Sequence, residues 1–308
     1  MNVRMEHDTM GEIAVPAEHV WGAQTQRSIE HFRIGGQRQP REIITAFAYL
    51  KEACAAANAS VGKLTEEQAE AVASVCREIR AGKWDEEFPL VVWQTGSGTQ
   101  TNMNVNEVIA HLAAERGVQL HPNDHVNASQ SSNDTYPSAL HIAAALSVAN
   151  DVIPAAERLE AAFAALEARY PDLIRIGRTH LQDATPLKFA QEVSGWRELV
   201  AAPVRMLKLA QTELSRLAIG GTAVGTGLNA PQGYDQMALF DFSDVLKRYF
   251  VKQYGHITEY YAIDKTALRS MLYLSLIHIL SRKEQLKDIR IRCRGCRQEV
   301  PQRDSDVL

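Results

Sequence analysis

Residues 178–183 bring a cation, a hydroxyl, an imidazole, an amide and a carboxylate close together, between Gly177 and Pro186. Buried polar groups are costly unless they find partners, so such a cluster is either a solvated loop or a site. His180 could act as a general base, as a general acid or as a hydrogen-bonded core histidine. Thr179 beside it and the polar surroundings favour the first two, in which the imidazole exchanges a proton with water.

Two further runs of hydroxyl and amide side chains come just before predicted helices. Residues 97–99 precede a helical pattern that starts near Asn104, and residues 131–133 precede one that starts near Ser138. Helix N-termini carry free N–H groups and partial positive charge, which suit carboxylates and phosphates. One such run alone is more often a cap or a turn. Three runs beside three helices favour a site for a small dianion.

A metal site is not expected from the histidines or the cysteines. His121 and His125 are four residues apart with Asp124 between them, but Pro122 interrupts the spacing and no His-Glu-x-x-His pattern is present. The lone Cys-x-x-Cys at residues 293–296 has no second pair, which argues against a zinc knuckle.

Composition predicts a soluble globular protein of one large domain or two. The chain has 308 residues, 45% apolar and 23% charged, with a formal net charge of −4. This charge argues against a broad nucleic-acid surface, so an anionic substrate must be attracted locally. Residues 1–18 do not resemble a signal peptide, and the longest apolar run, Met271–Leu280, is too short to span a membrane. Four cysteines are typical of a reducing cytoplasm.

Apolar spacing predicts a mainly α protein with few strands. The first 35 residues indicate loop with short extended pieces, and residues 220–227 a tight connection between packed helices. One helix is delimited by a capping-box pair, Thr65 and Gln68, and by Gly82 at its end. Other helices are predicted from Pro40, over Asn104–Arg116, Ser138–Asp151, Pro154–Tyr170 and Leu187–Leu217, the last bent at Pro203.

Five segments together resemble the class II fumarate hydratases of the fumarase/aspartase superfamily. They are Trp21–Ser28, Trp93–Asn106, His121–Asp134, Gly177–Pro186 and Gly220–Asn229, and the resemblance covers about residues 1–238. Aspartases are the nearest alternative. They typically carry glutamine where this chain has His180, and Ser-Thr-Asn where it has Ser-Ser-Asn at residues 131–133.

The resemblance implies a long-helix bundle preceded by a smaller, mostly helical N-terminal domain. It also implies reversible addition of water to fumarate, giving (S)-malate, as in the tricarboxylic acid cycle and without a metal or other cofactor. Substrate binding is implied for Ser97, Thr99, Ser131, Ser132, Asn133 and Thr179, and handling of the water for His180. A second carboxylate site is implied for His121, Asn123 and Asp124. The family forms homotetramers in which each active site draws on three chains.

The sequence departs from the family in its last third. The family's Gly-Ser-Ser-x-Met-Pro-x-Lys-x-Asn loop, which carries the catalytic serine, does not occur in it, nor does the glutamate that orients the histidine. We therefore expect a truncated or chimeric chain joined near Ala238, with domains 1–136 and 137–238 and an unmatched, poorly ordered tail 239–308. The alternatives are an enzyme by descent, a non-catalytic fragment that keeps carboxylate-binding residues, an aspartase-type relative, or a scaffold protein that uses the basic tail.

Overall fold

The computed structural model describes residues 2–234 and residue 238, and these form seven α-helices and two β-hairpins. The mainly α prediction is confirmed. All of the described residues belong to the first of two units into which the chain divides, Met1–Gln253 and Tyr254–Leu308. The expectations for the tail 239–308, for the run Met271–Leu280 and for the cysteine pair at 293–296 fall outside the described residues. The division into domains at residues 136 and 238 stays a prediction.

The N-terminal segment is more ordered than predicted. Strands β1 (Val3–Asp8) and β2 (Gly11–Pro16) pair antiparallel, and helix α1 (Ala23–His31) follows them. The prediction of loop over the first 35 residues was wrong for α1. This helix was missed because it carries no apolar stripe. Its N-terminus is instead capped from a distant helix by Glu107, which accepts from the Gly22 N–H over 3.0 Å and from the Thr25 hydroxyl over 2.6 Å.

Three helices build the core of the first half of the chain. They are α2 (Arg41–Ser60), α3 (Glu66–Arg80) and α4 (Thr99–Glu115). The predicted capping box of α3 is present, because the Thr65 hydroxyl accepts from the Gln68 N–H and the Gln68 side chain accepts from the Thr65 N–H. Buried apolar side chains from α2, α3, α4 and the next helix form one cluster that includes Phe47, Leu50, Val72, Val75, Ile79, Val108, Ile109, Leu112 and Ile142.

Helix α4 starts five residues earlier than predicted, at Thr99 rather than Asn104. Its first turn is polar and so lacks an apolar period, yet Thr101 and Asn102 are buried. Gln94 caps this turn, accepting from both the N–H and the hydroxyl of Thr101 over 3.1 Å. Gly98, at the N-cap, has φ +67°, a left-handed conformation that glycine adopts without strain.

Helix α5 (Ser132–Ser147) also starts before its predicted first residue, Ser138. The run at residues 131–133 was interpreted as the polar segment before the helix, but residues 132 and 133 form its first turn. A π-helical segment, Val148–Val152, then joins α5 to α6 (Ile153–Arg169) without a break. Pro154 falls in the first turn of α6, where a missing N–H costs little.

The stretch predicted as a polar cluster before a helix is a β-hairpin. Strands β3 (Ile174–Thr179) and β4 (Gln182–Lys188) pair antiparallel with a register shift between Ile176 and Arg178. Gly177 lies at that shift, where a Cβ atom would come within 2.8 Å of the Thr185 carbonyl oxygen. Few apolar residues mark these strands, so the strand signal was too weak to detect.

Helix α7 (Phe189–Leu214) packs along α6 and is shorter than the predicted Leu187–Leu217. Phe163, Phe189 and Trp196 hold the pair together, with ring centroids 6.2 to 6.4 Å apart. Much of the pair remains uncovered, and large apolar side chains on it are exposed, among them Leu159, Trp196, Leu199, Met206 and Leu209.

The continuous helical stretch Ser132–Arg169 is long and apolar enough to cross a membrane by length and composition alone. In its most apolar part 22% of the residues are buried. No membrane span was predicted from the sequence. Length and composition do not distinguish such a helix from one in the core of a helical bundle.

Candidate active site

The N-termini of α4 and α5 lie side by side. Gly98 packs on the ring of Tyr136, so closely that a Cβ atom at residue 98 would lie 2.2 Å from that ring. The Asn102 amide nitrogen is 3.5 Å from the Ser132 hydroxyl, and the Thr135 hydroxyl donates to the Asn102 side-chain oxygen over 3.2 Å. Two of the three predicted polar runs are therefore brought together at adjacent helix ends, where free N–H groups and partial positive charge favour a carboxylate.

Hydroxyl groups line the α4 side of this arrangement. The Ser97 and Thr99 hydroxyls are 3.2 Å apart, and Ser97 is exposed. Ser97 is also 3.4 Å from the Thr95 hydroxyl, which in turn donates to the Gln100 side-chain oxygen over 2.5 Å. Neutral hydroxyl donors next to a helix N-terminus can fix the orientation of a carboxylate without a formal charge.

On the α5 side, some of the predicted site residues also make the hydrogen bonds that cap the helix. The Ser131 hydroxyl accepts from the Asn133 N–H over 3.2 Å, and the Ser131 N–H donates to Asp134 over 2.9 Å. Ser132 is half-buried, and the Asn133 side chain is exposed. The capping interpretation and the binding interpretation of residues 131–133 are thus compatible, because capping leaves the Ser131 hydroxyl proton free to donate.

The glycine-rich residues 220–227 are turns that bind to the N-terminus of α5. Asn133 donates from Nδ2 to the Ala223 carbonyl oxygen over 2.8 Å, and the buried Asp134 accepts from the Thr222 N–H over 2.7 Å. Burial raises the pKa of Asp134, against the opposing effect of these backbone N–H donors. The predicted tight connection therefore has an added effect, since it places turns of the chain beside the proposed site.

His121, Asn123 and Asp124, the predicted second carboxylate site, lie on an exposed π-helical turn, Pro122–Val126. His121 Nδ1 accepts from the Asp124 N–H over 3.2 Å and lies 3.1 Å from an Asp124 carboxylate oxygen. An open cavity of about 430 Å³ beside this turn is lined by Asn123, Asp124 and also by Lys63, Asn127, Ala128, Ser129, Gln130 and Asn229. Within the part of the chain that the structure describes, no group of His, Cys, Asp and Glu side chains could hold a metal.

Thr179 and His180 stand apart from the other predicted residues, at the tip of the β3–β4 hairpin. His180 and Leu181 are the two turn residues, with φ +49° and +60°, and the Leu181 side chain is 95% exposed. Among the described residues, no hydrogen bond joins Thr179 or His180 to residues 97–99 or 131–133. Within one copy of the chain, the histidine is therefore presented to solvent and not to the helix ends.

Buried polar residues beneath the candidate site were not predicted from the sequence. Lys51 donates from Nζ to Asn127 Oδ1 and to Gln130 Oε1, each over 2.9 Å, and Asn127 Oδ1 also accepts from Asn102 over 3.1 Å. Asn58 donates to the Ala128 carbonyl oxygen over 2.9 Å. The sequence did contain one signal for these buried polar residues. Lys51 and Asn58 interrupt the buried face of an otherwise apolar, alanine-rich helix.

Comparison with known proteins decides the family. A family model described as lyase matches residues 11–288. The chain belongs to this lyase family. The match extends beyond Ala238, the residue near which the resemblance was expected to end, so residues 239–288 of the tail are matched by the family model as well.

Similar proteins agree with the predicted resemblance. A class II fumarate hydratase of Bacillus anthracis is 52% identical over 82% of the chain, and one of Listeria monocytogenes serotype 4b (strain F2365) is 47% identical over 96% of it. A crystal structure of class II fumarase from Schistosoma mansoni, 39% identical, superposes with a TM-score of 0.80 over 83% of the chain. The chain spans 56% and 65% of the two bacterial relatives and 55% of the Schistosoma protein. The fumarate hydratase lineage and the fumarase-like helical fold are confirmed.

Proposed function

We propose that this chain contributes to a fumarate hydratase active site, in which water is added reversibly to fumarate to give (S)-malate. The observation that carries the proposal is the adjacency of the α4 and α5 N-termini, with the Asn102 amide 3.5 Å from the Ser132 hydroxyl. Two helix ends that converge with neutral donors suit a small dicarboxylate in a protein whose net charge is −4. The relatives named class II fumarate hydratase support this choice of dicarboxylate.

Each predicted residue has a role in this proposal. The carboxylates of the substrate bind to donors at the two helix ends and at the hairpin, namely Ser97, Thr99, Ser131, Ser132, Asn133 and Thr179. His180 exchanges the proton of the water that is added or lost. In the direction of water loss, the C3 proton of malate passes to a base, and the donors stabilise the negative charge that this leaves on the adjacent carboxylate. His121, Asn123 and Asp124 form a second carboxylate site, and the reaction needs no metal or other cofactor.

A complete site requires other copies of the chain. His180 is exposed at the hairpin tip and is not bonded to the helix ends of its own copy, while α6 and α7 expose large apolar side chains. We propose that these helices pack against further copies in a homotetramer, and that the packing brings a hairpin tip to the helix ends of a neighbouring copy. Such a tetramer would be cytoplasmic, without nucleic-acid or membrane partners.

A non-catalytic role for this particular chain is the second candidate, favoured by one observation. The family's serine-bearing loop is not found in the sequence. We therefore propose that the chain binds dicarboxylates but hydrates fumarate slowly or not at all. Turnover, followed as the loss of ultraviolet absorbance of fumarate, should be far below that of a full-length relative. Comparable turnover would contradict the non-catalytic role but not the proposed binding of dicarboxylates.

Binding by the purified chain tests the proposed site. Titration calorimetry should detect fumarate but not its uncharged dimethyl ester, because the site recognises carboxylates. The variants Thr99→Val and Ser132→Ala should each weaken fumarate binding by about tenfold, the value of one lost hydrogen bond to a charged group. Ser147→Ala, at the far end of α5, is the matched control and should leave affinity unchanged. If fumarate and the ester bind alike, or if aspartate binds better than fumarate, the proposal fails.

A further inference from the structure

Lys51, on α2, is completely buried below the proposed site. Its ammonium group donates to two neutral acceptors, Asn127 Oδ1 and Gln130 Oε1, each over 2.9 Å. Among the described residues, no carboxylate lies within ion-pair distance of it. A buried ammonium is costly when no opposite charge pairs with it, so a lysine in this position needs an explanation beyond packing.

The two acceptors of Lys51 lie between the two predicted carboxylate-binding sites of the chain. Asn127 ends the π-helical turn that carries His121 and Asp124, and Gln130 directly precedes Ser131, the N-cap of α5. Asn127 also accepts from Asn102 over 3.1 Å, the residue that reaches toward the α5 N-terminus. One ammonium group therefore fixes the connecting segment 127–130 from below.

We propose that Lys51 is a positioning residue for dicarboxylate binding, whose ammonium holds segment 127–130 in place and adds positive potential at the α5 N-terminus. The inference rests on the proposed function of that helix end. A charge in the protein interior is weakly screened by salt and by water, so it acts over longer distances than an exposed lysine does. In a chain of net charge −4, such a local source of positive potential would attract a dianion.

The charge state of Lys51 gives this role a pH dependence. Burial lowers the pKa of Lys51 to about 8. Facing it are Cys54 on its own helix, Cys76 on α3 and Asp134 on α5, and Tyr234 lies close to Cys54. Burial raises the pKa of both thiols to about 12 and that of Tyr234 well above its usual range, so these groups stay neutral up to pH 9.5. The ammonium is present below pH 8 and is lost as the pH rises through that value, while fumarate stays a dianion.

Fumarate titrations of the purified chain between pH 7 and 9.5 test the role. For the wild-type chain, affinity should fall about tenfold over this range, with a midpoint near pH 8. Lys51→Arg keeps its charge at every pH used and should bind with a flat profile. Lys51→Met should bind about tenfold more weakly at pH 7 and also show a flat profile. Lys83→Met removes an exposed lysine that pairs with Glu78, and it should reproduce the wild-type profile.

Two outcomes separate this inference from the proposed function. If Lys51→Met keeps the affinity and pH profile of the wild-type chain, the role of Lys51 is overturned and the site itself stands. If the wild-type chain does not bind fumarate at pH 7, both are overturned. Should Lys51→Met fail to fold, NMR of ¹³C-labelled lysine side chains in the wild-type chain provides the second measurement. The resonance absent from Lys51→Arg should titrate with the same midpoint as fumarate affinity, and a flat affinity across that midpoint would overturn the role.

Discussion

Asn133 donates from its side-chain amide to the carbonyl oxygen of Ala223 over 2.8 Å, so a residue of the proposed substrate site also holds the glycine-rich turns against α5. The Thr222 N–H adds a second bond, to Asp134 on the same helix. Residues 220–227 contain three glycines with positive φ, at 220, 225 and 227, and have no helix or strand of their own. A backbone N–H of Gly220 also bonds to Asp134, so several contacts with the first turn of α5 hold these turns beside the site.

Asn133→Ala should loosen the glycine-rich turns without unfolding the chain. The loss of one exposed hydrogen bond should lower the free energy of unfolding by about 0.5–1 kcal/mol. Backbone amides of residues 220–227 should exchange with deuterium faster, because the turns lose one of their attachments to α5. Hydrogen exchange by mass spectrometry measures this. Asn123→Ala, at an exposed asparagine in the neighbouring π-helical turn, is the control and should leave exchange at 220–227 unchanged.

Helices were predicted correctly where the signal in the sequence was local. Thr65 and Gln68 are three residues apart and indicate the start of α3, and both hydrogen bonds of this capping box are present. The segments proposed to form the site come from the family resemblance, and their role stays a prediction. The first turns of α4 and α5 were missed because they are polar, and a method that relies on apolar periodicity detects a helix only where it buries an apolar face.

Contacts between distant parts of the chain were not predictable from local patterns. Lys51 and Asn127 are 76 residues apart, and Asn133 and Ala223 are 90 apart. The β3–β4 hairpin was missed for a different reason. Its residues are mostly exposed on both faces, so polar and apolar side chains do not alternate along the full length of either strand.

Glu78 should contribute to stability in a pH-dependent way. Its carboxylate accepts from Trp84, Lys83 and Arg116 over 2.8–3.0 Å. Burial alone would raise the pKa of Glu78, but these three donors outweigh it and lower the pKa to about 2. Because the folded-state pKa lies below the usual value, the stabilisation is present above pH 4.5 and is lost as the pH falls toward 2.

Glu78→Gln should therefore lower the free energy of unfolding by about 1–2 kcal/mol at pH 7, allowing for solvent screening of a partly exposed side chain. The difference from the wild-type chain should shrink as the pH falls below 4.5. Urea unfolding at a series of pH values measures it. Glu70→Gln, which breaks the exposed pair of Glu70 with Arg77, should cost no more than about 0.5 kcal/mol. Equal losses for the two variants would show that Glu78 is an ordinary surface charge.

Leu181→Gly should stabilise the hairpin that carries His180. Leu181 has φ +60° and is 95% exposed, so it bears the strain of a left-handed conformation without a packing gain. Glycine adopts that conformation freely, and we expect a gain of up to about 1 kcal/mol. Slower hydrogen exchange over residues 174–188 would report it. The matched control is Leu199→Gly, a leucine within α7 that is 74% exposed, which should cost about 1 kcal/mol through helix propensity. Faster exchange in Leu181→Gly would contradict the strain argument.

The apolar surface of α6 and α7 should drive self-association. Leu199 and Leu209 on α7 are 74% and 75% exposed, in a patch that continues through Met206. A patch of this kind on a soluble protein marks an interaction surface or an aggregation site. The double variant Leu199→Glu/Leu209→Glu should shift the chain to smaller species, because two charges would be buried in any contact.

Multi-angle light scattering after gel filtration measures the mass of each species directly. The double variant Glu198→Gln/Glu213→Gln alters exposed carboxylates on the same helix and should keep the wild-type distribution. The two double variants differ in whether charge is added to or removed from α7, so a general charge effect should move their masses in opposite directions. A loss of mass in Leu199→Glu/Leu209→Glu alone places the contact on the leucine face. If its mass equals that of the wild-type chain, α7 does not form the contact between copies, and the proposed tetramer would need another surface.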